Sequence, residues 1–304
     1  RSNSMLYLVT GGAGFIGTHL SNTLVGAGHQ VRVLDDMSFG DATKLHPEVH
    51  LIQGSIQDLS TCEKAAEGVD GIFHMAAFSR SGPSFDMPFE CHDSNVLGTL
   101  NVLAAARKQG VKRMVYSGSS TFYGNHPGVQ NENDQGDFLN FYGLTKHIGE
   151  LYVQQYVRNF GLEANILRYF NVYGPGQPTT GAYALVVGIF LDKYRNKQSL
   201  EIHGSGEQRR DFIHVSDVVQ ANIKAMETAH VGEIFNVGSG INYSVNELAA
   251  FFPLEKNHTA SRAGDANTTL ADVKKITEML DWTPKISLEE GIKSMIQTID
   301  EELN

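Results

Sequence analysis

Met5 to Thr10 (Met-Leu-Tyr-Leu-Val-Thr) is a short, nearly unbroken apolar run, the pattern of a strand buried on both faces of a parallel sheet. Glycines follow at once. Ile16, Leu20 and Leu24 then recur at helical spacing until Gly26-Ala27-Gly28 ends the pattern. Val31-Arg32-Val33-Leu34 predicts a second strand, and similar runs predict strands over Val49 to Ile52, Gly71 to His74, Arg113 to Ser117 and Ala164 to Tyr169. Helices are predicted between them, over Cys62 to Glu67, Asn95 to Gln109 and Tyr142 to Phe160. This alternation predicts an α/β fold built on a doubly wound parallel sheet.

Past about residue 171 the pattern changes. Gly174-Pro175-Gly176-Gln177-Pro178-Thr179-Thr180-Gly181 reads as a loop, followed by a helix from Leu185 to Tyr194. Asp211 to Val215 and Glu233 to Val237 read as strands that rejoin the sheet, and the tail carries helices over Leu270 to Leu280 and Leu288 to Glu302. The expected organisation is a main domain over 5–170 and a smaller, interleaved C-terminal lobe over 171–304.

Composition narrows the class. With 304 residues, 41% of them hydrophobic, the chain can bury a large core. Its 31 glycines, roughly one residue in ten, exceed the usual share of about 7%. With only 8 prolines and no repeat period, they must mark particular backbone turns. The balance of 24 Lys+Arg against 34 Asp+Glu gives a net charge of -10, which disfavours a nucleic-acid partner. No apolar run approaches the roughly 20 residues that span a bilayer. Cys62 and Cys91 are far from any CxxC spacing, and the 12 histidines, among them His19, His74, His147 and His214, show no HExxH pattern. No disulfide framework and no metal site are therefore expected. Arg1-Ser2-Asn3-Ser4 ahead of Met5 reads as a cloning remnant, with no signal peptide visible. A cytoplasmic enzyme or binding protein is expected.

The glycines have a candidate purpose. Gly12, Gly14 and Gly17 satisfy G-x-G-x-x-G, and Gly11, Gly14 and Gly17 recur at intervals of three. A strand precedes them, a helix follows, and Asp35 stands 23 positions after Gly12, near the spacing of about 20 expected for a carboxylate on an adenosine ribose. Without a Cβ the backbone can approach a pyrophosphate, which then meets the free N–H groups at the helix start. A carboxylate there repels a 2′-phosphate, so NAD is favoured over NADP.

Tyr142-Gly143-Leu144-Thr145-Lys146 places a phenol and an ammonium four apart on one helical face. A neighbouring cation favours phenolate and lowers the tyrosine pKa toward the range of a general base. Just upstream, Ser117-Gly118-Ser119-Ser120-Thr121 ends a strand, and hydroxyls at a strand's carboxyl end lie where open α/β sheets bind ligands.

The glycine loop, His74-Met75-Ala76-Ala77, the hydroxyl cluster, the Tyr-Lys pair and Arg168-Tyr169-Phe170-Asn171 together resemble the extended short-chain dehydrogenase/reductases. Within that group the chain is most similar to nucleotide-sugar epimerases of the UDP-glucose 4-epimerase kind, from Met5 to about Gly291. The resemblance implies a Rossmann domain holding NAD and a C-terminal lobe holding a nucleotide sugar. It implies Tyr142 as the base, Lys146 as its partner, and Ser119 as the hydroxyl on the reacting sugar oxygen. It sets NAD against Gly11, Gly14, Phe15, Ile16, Gly17, Asp35, Asp36, Ser55, Ile56, Ala76, Ala77, Asn95, Tyr142, Lys146 and Tyr169. Asn95 corresponds to a residue supporting the nicotinamide side, and His74 reads as structural. The sugar nucleotide is implied to meet Ser119, Ser120, Tyr142, Asn171, Arg210, Arg262, Asp265 and Thr269.

The chain departs from the pattern at Gly54-Ser55-Ile56, where the family often has Gly-Asp-Ile; Ser55 can accept a hydrogen bond but without charge assistance. Dehydratases of this fold carry an Asp-Glu pair where this chain has Ser120 and Thr121, which disfavours dehydration. Epimerisation at C4 through a 4-keto sugar is the leading expectation. Epimerisation at C2 of a CDP-sugar, reduction of a keto sugar and a non-catalytic NAD-sensing role stay open. Thr179 to Ala184 resembles a segment of epimerases that accept N-acetylated UDP-hexoses, and the small Thr269 leaves room for a 2-acetamido group. UDP-GlcNAc/UDP-GalNAc therefore stands beside UDP-glucose/UDP-galactose. A homodimer through the helices at Asn95 to Gln109 and Tyr142 to Phe160 is expected, the alternative being that Leu97, Leu100, Ile148 and Leu151 all face the sheet.

Overall fold

The computed structural model describes residues 3–261 and 268–304. Strands β1 (Leu6–Thr10), β2 (Gln30–Asp35), β3 (His50–Gln53), β4 (Gly71–His74), β5 (Arg113–Ser119) and β6 (Glu163–Tyr169) come first. They are followed by β7 (Asn171–Tyr173), β8 (Leu200–His203), β9 (Arg209–Arg210), β10 (Phe212–His214) and β11 (Ile234–Val237). The helices are α1 (Phe15–Gly26), α2 (Leu59–Ala65), α3 (Ser81–Asp86), α4 (Pro88–His92), α5 (Gly98–Lys108), α6 (Phe141–Phe160), α7 (Val186–Arg195), α8 (Val215–Glu227), α9 (Val245–Ala249), α10 (Lys274–Leu280) and α11 (Leu288–Leu303).

Seven strands form one sheet in the order β11-β6-β5-β4-β1-β2-β3, every neighbouring pair parallel. The sheet is doubly wound, as the alternation predicts. Successive residues divide between two cores: Tyr7 and Val9 of β1 join Leu20, Leu24 and Val218 on one face, while Leu8 joins Val102, Ala106 and Val153 on the other. Both faces are thus covered, which explains the unbroken apolar runs. A third core, around Tyr173, Phe190, Phe252 and Ile292, draws only on residues past 171.

The register sets up the site. Thr10 lies beside Leu34 and His74, so β1 and β4 end level and β2 runs one residue further, to Asp35. Chain order reverses at β1, between β2 and β4, which opens a crevice at their carboxyl ends. Ser119 lies beside Tyr169, so β5 and β6 run on past that edge.

Several elements differ from expectation. Ile234–Val237 joins the sheet beside β6, but Phe212–His214 pairs instead with β7 as a separate two-stranded ladder. The chain changes partner at one step: Phe170 N–H donates to Val237 O at 2.9 Å and Asn171 N–H to Asp211 O at 3.0 Å. The edge of β6 takes one partner, and β11 holds it. The helix expected from Leu270 begins only at Lys274. Before it, Thr268 bridges to Arg209 and Ala271 to Gln130, so that backbone is engaged sideways. Helix α8 is not among the expected elements. Its buried Val218, Val219, Asn222, Ala225 and Met226 follow helical spacing, but a buried amide and small alanines mute the apolar signal. The helix expected from Asn95 begins earlier, at Pro88, and passes through a π turn at Asp93–Leu97. Among the described residues no helix is long and apolar enough to cross a membrane.

Candidate active site

The turn after β1 is shaped by contacts a side chain would break. Gly11 has φ +68°, and a Cβ on it would lie 2.8 Å from the Ala76 nitrogen. At Gly17 a Cβ would run into the Gly11 carbonyl oxygen and lie 2.6 Å from Gly12 Cα. Gly14 differs, because a Cβ there would meet only the Gly11 oxygen, at 3.3 Å. Gly14 caps α1 with no side-chain hydrogen bond, and the first turn holds no acidic residue. The N–H groups of Phe15 and Ile16, at the start of that helix, therefore lack both a capping oxygen and a repelling carboxylate, as an anion site requires.

Asp35 closes this cradle at the end of β2. Its Oδ2 accepts from Ala13 N–H at 3.0 Å and its Oδ1 from Met37 N–H at 2.8 Å. Asp36 serves a local turn, accepting from both Ser38 N–H and Ser38 Oγ. Ser55 Oγ accepts from Gln57 N–H at 3.1 Å, while Ile56 is buried with its carbonyl holding the Asn101 amide at 2.9 Å. The open glycine turn, the uncapped helix start and the carboxylate 22 positions after Ala13 fit a dinucleotide pyrophosphate and ribose.

On the neighbouring edge, Thr10 Oγ1 bonds His74 Nδ1 at 2.7 Å and receives Ala76 N–H at 3.1 Å. His74 Nε2 meets Thr99 Oγ1 at 3.0 Å. Burial pushes His74 down to about 3, so it is a neutral strut, as the reading of the strand end anticipated. Ala77 follows at partial exposure. Asn95, 1% exposed, holds Phe78 through its N–H and its carbonyl, and also donates to Thr145 Oγ1 at 2.9 Å. Its amide is spent within the protein, so its place is beneath the Ala77–Phe78 segment.

Tyr142 and Lys146 stand on the first turns of α6, whose N-cap Asn140 accepts from Gly143 N–H at 2.8 Å. The Tyr142 phenol lies beside Ser119, whose hydroxyl holds its pKa down. Ser119 Oγ accepts from Thr121 Oγ1 at 2.8 Å; Ser120 beside it is partly buried. The expected effect of Lys146 on Tyr142 is not the dominant one. Burial raises the phenol above its ordinary value, opposed by the neighbouring Ser119 hydroxyl and by the charge of Arg80. Lys146 Nζ lies 4.5 Å over the Tyr116 ring, and Tyr116 donates to the Lys146 carbonyl at 2.9 Å. Burial brings Lys146 down to about 8, against the pull of Glu150 and Cys91. Desolvation thus outweighs the pairwise charge effect at both groups.

Tyr169 Oη is bonded to Ser117 Oγ at 2.6 Å and Asn222 Nδ2 at 2.9 Å, and burial pushes it up to about 12. On the opposite wall, Asn171 Oδ1 accepts from Thr269 Oγ1 at 3.1 Å, and the same hydroxyl receives Asp211 N–H at 3.0 Å. Thr269 is buried and fully engaged, so its role exceeds that of a small residue leaving room. Arg210 donates to the Arg209 carbonyl at 2.9 Å. Its neighbour Asp211 is satisfied elsewhere, by Ser239, Gly240 and Ala271 N–H groups. Arg262 and Asp265 lie outside the described residues.

Sequence reading missed Arg80, whose Nε donates to Tyr183 O at 2.8 Å. One signal was present: Arg80 is the only lysine or arginine between Lys64 and Arg107. It also missed Glu150, which a lone acidic residue on a helix does not announce.

The comparisons with known proteins agree with this geometry. A model described as the NAD dependent epimerase/dehydratase family matches residues 7–238. A putative UDP-glucose 4-epimerase of Methanocaldococcus jannaschii is 37% identical over 300 residues, covering 96% of this chain and 97% of that protein. A UDP-glucuronate 4-epimerase of Thermodesulfobacterium geofontis is 30% identical over 311 residues, covering 95% and 94%. The crystal structure of Thermotoga maritima UDP-glucose 4-epimerase with UDP-glucose superposes with a TM-score of 0.95 at 34% identity, covering 99% of this chain and 100% of that one. With most of its length matched by that model and its glycine turn open to a pyrophosphate, the chain belongs to the NAD dependent epimerase/dehydratase family, and NAD is its cofactor.

Proposed function

We propose that the protein epimerises a UDP-linked sugar at C4, with UDP-glucose/UDP-galactose and UDP-GlcNAc/UDP-GalNAc as the substrate pairs. The observation that carries this reading is the placing of the Tyr142 phenol beside Ser119 at the carboxyl end of β5, with buried Lys146 one turn on. Ser119 orients the sugar C4 oxygen, and Tyr142 takes its proton as the C4–H bond breaks and returns it after the ring has turned. The glycine turn, the start of α1 and Asp35 would hold NAD, which would supply a reversible hydride acceptor for C4, so no net oxidation would result. Lys146, poised near 8, keeps a positive charge beside the developing phenolate. Thr121 stands where dehydration needs a carboxylic acid, and its hydroxyl is spent on Ser119.

Asn171, Arg210 and Thr269 face the nucleotide sugar in this reading, joined by Arg262 and Asp265. A second copy of the chain covers the outer faces of α4, α5 and α6. Phe89 is 80% exposed, Leu97 40% and Leu151 49%, and Phe85 packs edge-on against Phe141. Leu97 and Leu151 thus point away from the sheet, whereas Leu100 and Ile148 are partly buried. Sedimentation tests the dimer.

The catalytic reading is tested by NMR of the sugar products after incubation with UDP-glucose or UDP-GlcNAc and NAD. The 4-epimer is expected in each case. Tyr142→Phe should lower kcat by about 10²–10⁴. Near-normal turnover in that variant would remove tyrosine from the role of base.

A further inference from the structure

Arg80 is a partly buried cation at the sugar end of the site, and among the described residues it forms no ion pair. Its Nε donates to Tyr183 O and its Nη1 to Ser79 O, each at 2.8 Å, which leaves Nη2 without a protein acceptor. Two backbone carbonyls therefore fix the guanidinium plane while its charge stays uncompensated. The segment that carries it is pinned to the catalytic helix, because Tyr142 N–H donates to Ser84 Oγ at 3.2 Å and Asn95 clamps Phe78. The acidic groups whose charge acts on Arg80 are the phenols of Tyr142 and Tyr183, and burial draws it below its ordinary value. A desolvated cation without a counter-ion is costly. That cost is recovered if the ligand brings the anion.

The sugar has one place to carry it. With the C4 oxygen on Tyr142 and Ser119, the next ring carbon, C5, bears the C6 substituent. The segment that carries Arg80 is bonded to Tyr142 through Ser84, and this brings the guanidinium to the side of the site where we place that substituent. A hydroxymethyl group there leaves Arg80 unpaired, whereas a carboxylate completes a charge-assisted, fork-shaped pair.

We propose that Arg80 is a carboxylate-reading residue and that the site takes a nucleotide hexuronic acid, a sugar nucleotide oxidised to a carboxylate at C6. This rests on the reading above in placing the C4 oxygen at Tyr142.

The test is calorimetric titration of the NAD-loaded protein with UDP-glucuronate and with UDP-glucose, alongside NMR of the products, for the unmodified protein, Arg80→Met and Arg80→Lys. The unmodified protein should bind UDP-glucuronate the more tightly. Arg80→Met should lower the ratio of the two affinities by about tenfold or more, the scale of one charge-assisted bond to a buried group, and Arg80→Lys should restore part of it. A ratio unchanged in Arg80→Met overturns the proposal, even if both affinities fall together, since Arg80 then serves only Tyr142 or the Tyr183 loop. Restoration by lysine guards against loss through misfolding. An Arg80-dependent preference with no epimer from either sugar would fail the epimerase reading alone. Epimer from UDP-glucose with no such preference would fail only the carboxylate proposal.

Discussion

Arg168 grips Glu150 by two bonds, Nε to Oε2 at 2.9 Å and Nη2 to Oε1 at 2.7 Å, with both side chains 2% exposed. Glu150 lies one turn beyond Lys146 on α6, and its charge is the largest influence holding that ammonium up against burial. Arg168 itself is stacked 3.6 Å over the Phe122 ring and donates to Tyr123 Oη at 3.1 Å. The pair thus links the end of β6 to the electrostatics of α6 around Lys146.

Glu150→Gln should act twice. Breaking one partner of a buried ion pair leaves an uncompensated guanidinium and costs about 3–5 kcal/mol, which denaturant unfolding measures. Loss of the carboxylate also lowers Lys146 further, so the alkaline limb of the kcat/KM profile should move to lower pH. An alkaline limb that stays in place while stability falls would separate Glu150 from Lys146.

Lys146 carries a stability cost of its own. Its folded value of about 8 lies below its unfolded value of 10.5. Between those two pH values the unfolded chain holds a proton the folded protein has released, so stability from this group rises with pH there. Below pH 8 the penalty is fully present. Lys146→Met should therefore raise Tm at pH 7 while abolishing turnover, and the advantage should fade as pH rises from about 8 to 10.5. Melting curves at pH 7 and pH 10 check this, and a pH-independent advantage would contradict it.

The glycines of the first turn should divide by substitution. At Gly17 an added Cβ meets backbone at Gly11 and Gly12, so Gly17→Ala should distort the turn and lower stability by roughly 1–3 kcal/mol. Gly14→Ala meets only one oxygen, at 3.3 Å, and should leave Tm nearly unchanged while weakening NAD binding about tenfold or more, because the methyl occupies the pyrophosphate's approach. Fluorescence titration with NAD beside thermal unfolding distinguishes the two.

Thr269 tests whether its hydroxyl or its size matters. Thr269→Val keeps the volume but strands the Asp211 N–H and the Asn171 oxygen, at a cost of about 1–3 kcal/mol. Thr269→Ser keeps the hydroxyl and should stay close to the parent in Tm. Equal melting points for the two variants would mean the hydroxyl contributes nothing.

Much of this architecture was legible along the chain because its signals are local. The apolar run Met5–Thr10, the glycines directly after it and the acidic end of β2 lie within one strand–turn–helix–strand unit. Lys146 four residues after Tyr142 needs only helical periodicity. Where local pattern and lateral partner compete, reading failed: Leu270–Asp272 looks helical but is engaged by Gln130, and Phe212–His214 looks like a sheet strand but pairs with β7.

The sequence by itself determined the alternating fold and the dinucleotide turn, and it offered Ser119, Tyr142 and Lys146 as the candidate set. Tertiary structure alone decided their working state. Arg168 reaches Glu150 across 18 residues, Thr269 reaches Asn171 across 98, and Arg80 reaches Tyr183 across 103. No period or motif encodes such separations. The protonation of Tyr142 and Lys146 likewise follows from how much water the folded chain removes from them, a property of the packed whole.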